Sequence, residues 1–155
     1  MRLYTASVTG TLKDGENVLL QVVQPLSSSG RARVLSWDVS FNGIIAGNSM
    51  TVSFTRDSDS GTALEQVDAV VLDGTYTTTY DGLVGPAVRS DFTINPTADT
   101  VIDGPMHASD PSFVKKQYAS GREPTIDAVG QVSLRCTPSN MLAAIGFKAN
   151  IILVA

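Results

Sequence analysis

Apolar and polar residues alternate through positions 33–41. Leu35, Trp37, Val39 and Phe41 fall on one face, and Ser36, Asp38 and Ser40 on the other. An extended chain sends successive side chains to opposite faces, so this segment predicts a strand with one dry and one wet face. A dry face that wide needs a second layer over it. The same period returns at 49–55, with Met50, Val52 and Phe54 in and Thr51, Ser53 and Thr55 out. It closes the chain at 143–154, where Ile145, Phe147, Ala149, Ile151 and Leu153 share a face. Shorter strands are predicted over 3–8, 17–24, 88–94 and 131–137. The centre of the second, Val18-Leu19-Leu20-Gln21-Val22-Val23, is almost continuously apolar. That predicts burial on both faces or contact with a partner chain.

Turn chemistry separates these runs. Asp14-Gly15, Asn42-Gly43 and Asp81-Gly82 supply glycines for positive φ, and Pro25 and Pro96 end strands. Residues 63–72 fit a short helix or a strand, and irregular structure followed by a strand is the better fit. Residues 112–119 fit a strand or one helical turn. Residues 97–111 hold Asp103-Gly104-Pro105 and Asp110-Pro111 and read as one long loop. Thr75-Tyr76-Thr77-Thr78-Thr79-Tyr80 has strong β propensity but little apolar content, which predicts an edge or a surface that pairs with a neighbour. The closing strand is a second candidate for such pairing. The whole predicts an all-β fold: a single-domain antiparallel β-sandwich over residues 1–155, jelly-roll-like, with about eight strands and long loops.

Composition agrees with this. Apolar residues make up 43 % and charged residues only 17 %, with 13 Gly and 7 Pro to cut the chain often. The net charge of −4, with no basic run beyond Lys115-Lys116, argues against a nucleic-acid partner. No stretch nears the roughly 20 apolar residues of a membrane helix, and no signal-peptide run opens the chain. Synthesis in a cytoplasm is therefore expected.

Candidate chemistry is sparse. His107 is the single histidine, without a nucleophile elbow to serve, and reads as an ordinary loop residue. A small β-fold enzyme would need it as base. Cys136 is the single cysteine; it permits no internal disulfide and reads as a half-buried, inert thiol in a strand. Asp57-x-Asp59-x-Gly61 faintly echoes a calcium loop, but its glycine is one place early, and a solvated polar turn fits better. Gly82-x-x-Gly85 lacks the lysine and context of a phosphate loop. Neither a cofactor nor a metal is expected, and no catalytic residue is assigned. The interaction candidates are Tyr76 and Tyr80 on the polar edge, and Leu83, Val84, Val101, Ile102 and Met106, apolar groups carried on long loops.

Three stretches carry a resemblance. They are Tyr4-Thr5-Ala6-Ser7 before an apolar strand, the Trp37 strand leading to Met50-Thr51-Val52-Ser53-Phe54-Thr55-Arg56 and then Gly61-Thr62, and Val129-Gly130-Gln131-Val132-Ser133-Leu134-Arg135 before a long last strand. In this order the chain resembles the small β-sandwich capsid decoration (cement) proteins of tailed bacteriophages. The resemblance implies a virion protein on the capsid surface, bound to the major capsid protein and often a homotrimer, without catalytic residues. A phage tail or receptor module that binds carbohydrate on the same sandwich is the alternative.

Overall fold

The alternating segments form strands, and no helix occurs among the described residues of this computed structural model, which are 3–24, 31–42, 50–67, 69–71, 86–108, 113–139 and 144–155. In chain order the strands are β1 (Leu3–Thr11), β2 (Asn17–Val23), β3 (Ala32–Asn42), β4 (Met50–Asp57), β5 (Thr62–Val67), β6 (Val70–Val71), β7 (Ala87–Ile94), β8 (Ala98–Ala108), β9 (Phe113–Gln117), β10 (Thr125–Ile126), β11 (Gln131–Pro138) and β12 (Gly146–Val154). They make two six-stranded antiparallel sheets. Sheet A runs β10-β3-β12-β1-β6, with β9 also on β3; sheet B runs β5-β7-β2-β11-β4-β8.

Eight of these strands pair in a nested series. The chain's two ends pair first, β1 with β12 from Leu3↔Val154 to Thr11↔Gly146. Then β2 pairs with β11, β3 with β9 and β4 with β8. This is one long hairpin rolled so that successive pairs alternate between sheets, β1-β12-β3-β9 against β2-β11-β4-β8. That is the jelly roll. The eight expected strands underestimate the total: the stretch between β4 and β8 adds β5 and β7 to one sheet and β6 to the other, and the short β10 joins β3.

The core lies between the sheets. Trp37 of β3 meets Phe54 of β4 across it, with ring centroids 6.1 Å apart and planes at 45°, within the range of favourable tilted aromatic pairs. Val39, Met50, Val52, Leu134, Ala149, Ile151 and Leu153 pack around them and are fully buried. Phe147 is only partly buried and its ring packs over Gly10, where an added Cβ would stand 2.8 Å from the ring and push it aside.

Several expectations are corrected. The alternation of β3 slips at Leu35, where the register against β12 shifts; Ala32 and Val34 take the inward places and Leu35 is half-buried. A bulge of this kind adds one residue and resets the period. Residues 98–108 are not loop but the edge strand β8, whose register against β4 shifts at three places. Its Asp, Gly and Pro residues look like loop in the sequence, but an edge strand bonds on one side only and tolerates them. Gly104, at φ 101°, sits where a Cβ would meet Val52 O at 2.7 Å. Residues 62–67 are strand rather than irregular, and Val70–Val71 is the strand expected after them. The closing strand is paired on both sides, by β1 and β3, and so offers no edge to a neighbour.

Candidate functional site

The site residues named from sequence divide into three groups. Tyr76, Tyr80, Leu83 and Val84 lie outside the described residues. Ile102 and Met106 are half-buried and pack against the core, so they are not free loop groups. Val101 is exposed at 54 %. His107 is exposed on the edge strand β8, opposite Thr51 of β4. Cys136 is fully buried rather than half-buried, with Sγ 4.0 Å from Met50 Sδ. Burial pushes its thiol up to about 12, a value at which thiolate is scarce near neutrality.

The outer face of sheet B holds what sequence reasoning missed. Val132, Leu134 and Cys136 of β11 point into the core, so Ser133 and Arg135 point outward, yet both are buried. The cover is a strap. Residues 58–61 leave β4 toward β5, and residues 95–97 return from β7 to β8, crossing the sheet together. Ser58 N–H donates to Thr97 O at 2.9 Å. Beneath the strap, Arg135 makes four hydrogen bonds: Nε to Thr55 Oγ1 (2.8 Å), Nη1 to Glu16 Oε1 (2.6 Å), and Nη2 to Asp57 Oδ1 (2.8 Å) and Pro96 O (2.7 Å). Asp57 also accepts from Gln21 Nε2 at 3.0 Å, Thr55 Oγ1 at 3.0 Å and the Ser133 hydroxyl. A buried charge persists where partners satisfy it on every side. The first carboxylate of the faint calcium pattern is therefore engaged by an arginine. Among the described residues, no three His, Cys, Asp or Glu side chains converge on a metal position. The signal in the sequence was the double-sided apolar run of β2 and the lone Arg in β11.

Asp59 stays at the surface and closes the strap. Its Oδ1 accepts from Gly61 N–H at 2.9 Å and Thr97 N–H at 3.2 Å. Hydrogen bonds from the Thr97 side chain, then the Thr97 and Gly61 backbone, hold its carboxyl below the ordinary 3.8, and the charge of Arg135 adds to this. A depressed carboxylate contributes stability above the unfolded pKa and loses it as pH falls through the folded one. Asp59→Asn is thus expected to flatten the acid limb of the stability–pH curve below about pH 4, read from thermal melts at stepped pH. An unchanged acid limb would contradict this.

A second polar chain links the sheets at their other edge. Trp37 Nε1–H donates to Tyr118 Oη at 3.1 Å, and that hydroxyl donates to Asp103 of β8. Lys116 Nζ lies 3.6 Å from Asp103 and 5.7 Å from the Tyr118 ring centroid. Burial, then the Asp103 carboxylate, pushes the Tyr118 phenol above its ordinary value.

Around the strap, the outer face of sheet B exposes large apolar groups. Ile94 stands opposite Thr62, and Leu64 follows two residues on, so Leu64 (65 % exposed) and Ile94 (64 %) share a face at the β5 edge. Val101 stands opposite Thr55 at the other edge. On sheet A, Phe113 of the edge strand β9 is also exposed.

One cleft, of about 670 Å³, opens between the sheets beside the β1–β2 turn. Val8, Gly10 and Phe147 belong to sheet A; Val18, Glu65, Ser90, Asp91 and Phe92 belong to sheet B; Lys13, Asp14 and Glu16 come from the turn. Asn95 Nδ2 donates to Glu16 O at 2.9 Å across one rim.

No protein-family model matches the chain, and neither a curated protein nor a solved structure matches it.

Proposed function

We propose that the protein is a virion structural protein of the capsid-decoration class, seated on the head of a tailed phage through the outer face of sheet B. The supporting observation is the exposure of Leu64, Ile94 and Val101 on a face stiffened by the buried Arg135–Asp57 pair. Apolar groups held in fixed positions dock with little ordering cost. The fold itself hosts many functions and supports the reading only by analogy. The partner is the major capsid protein, and the protein acts as a homotrimer, without cofactor or catalysis. By binding the assembled lattice and not its dissociated subunits, it stabilises the lattice by mass action.

Adding purified protein to heads assembled without it is expected to raise their disruption temperature. Leu64→Asp with Ile94→Asp, both surface changes, is expected to abolish that rise while the protein's own melting temperature holds. Heads that melt alike with and without the protein would refute the reading.

A further inference from the structure

We propose that the cleft between β1 and β7 binds an alkylammonium or guanidinium group carried on an apolar stem. This does not depend on the decoration reading. The first observation is charge. Asp14, Glu16, Glu65 and Asp91 line the cleft against the single cation Lys13. Glu16 is already paired with Arg135 at 2.6 Å, whereas Glu65 and Asp91 form no ion pair among the described residues.

The second observation is independent and concerns Ser90. It stands directly opposite Glu65, so both side chains leave the β5–β7 ladder on one face, where Glu65 lines the cleft and Ser90 lies buried in its wall. Ser90 is only 1 % exposed, and its hydroxyl has no hydrogen-bond partner among the described residues. Buried hydroxyls nearly always find partners, and an orphan one calls for an explanation. A donor entering the cleft supplies it: the Ser90 oxygen accepts one N–H, and Glu65 accepts another. Behind them Val8, Val18, Phe92 and Phe147 offer an apolar wall. Lysine and arginine chains lay their stems along such surfaces and keep the head among polar groups, and a cation beside an aromatic face gains further. A cleft of this volume falls in the small-ligand range. A neutral sugar would use the hydroxyl but leave the carboxylate charge uncompensated.

The group has two sources, a free polyamine or a basic side chain of a protein segment. Titrating the full-length ¹⁵N-labelled protein with spermidine, and separately with the blocked peptide acetyl-Gly-Arg-Gly-amide, distinguishes them. Saturable amide shifts around residues 8–18, 65 and 90–95 are expected from at least one probe, and the responding probe identifies the source. Glu65→Gln and Asp91→Asn are each expected to weaken binding about tenfold or more. Asp91 sits at φ 55°, a conformation that Asn also tolerates, so its fold is kept. Ser90→Ala is expected to raise the melting temperature while weakening binding, a pairing that a purely structural hydroxyl would not give. The proposal is overturned by silence from both probes at millimolar concentration, by equal shifts from the uncharged control peptide acetyl-Gly-Gln-Gly-amide or from methyl glucoside, or by carboxamide variants that bind as well as the parent.

Discussion

Replacing Arg135 by methionine is expected to lower the unfolding free energy by about 3–5 kcal/mol. The side chain is 4 % exposed and its partner Asp57 is fully buried. Removing the guanidinium leaves Asp57 charged under the strap, with only the neutral donors of Gln21, Thr55 and Ser133. It also strips Pro96 O and Thr55 Oγ1 of their donor. A domain of ordinary stability holds roughly 5–15 kcal/mol in all, so the variant stands near the edge of folding. Changing Asp57 to Asn in the same background removes the stranded charge and keeps an acceptor. The double variant is therefore expected to be more stable than Arg135→Met alone, with a coupling of about 1–3 kcal/mol in a denaturant cycle. A loss under about 1 kcal/mol from the single change would show that water reaches the pair and that the strap is not a seal.

Trp37→Ala is expected to cost a similar amount, about 3–5 kcal/mol. The ring is the largest fully buried side chain, and it touches Phe54 from the opposite sheet. Its loss opens a cavity between the layers and leaves the Tyr118 hydroxyl without its indole donor. Trp37→Phe separates these effects. It keeps much of the volume and removes the N–H, and is expected to cost less, about 1–3 kcal/mol. Equal losses for the two variants in urea unfolding would assign the whole effect to the hydrogen bond and contradict a packing role.

These two residues also mark how far the sequence could be read. Trp37, Val52 and Ile151 sit in runs of period two, and such a run with one apolar face leaves one physical solution, a half-buried strand. The sandwich and its core follow from that; which strands pair does not, since β3 and β4, suited by the short link between them to be antiparallel neighbours, lie in opposite sheets. Arg135 shows where the reading stops. Its neighbours Val132 and Leu134 give the inner face, but nothing local says that the outer face is covered too. The cover comes from residues 58–61 and 95–97, some 40–80 positions away in sequence, folded back by the stretch between β4 and β8. The β8 strand failed for a different reason. Edge position, bulges and a proline erase the alternation that marks a strand. Ser90 is silent in the sequence because a serine in a strand is ordinary until its surroundings show that its hydroxyl has no partner among the described residues.

The site divides the same way. Val101 stands exposed on β8, while Ile102 and Met106 pack against the core because the segment is a strand and not a loop. Leu64 and Ile94 were not singled out, since an isolated apolar residue carries no signal until β5 and β7 pair and bring the two onto one face.

The most direct test of the decoration reading is co-sedimentation of labelled protein with tailed-phage heads assembled without it, alongside unassembled capsid protein. Saturable binding to the heads, in threefold-related copies, with the unassembled subunits left bare, is the predicted result. Protein that stays in the supernatant at every head concentration would contradict it.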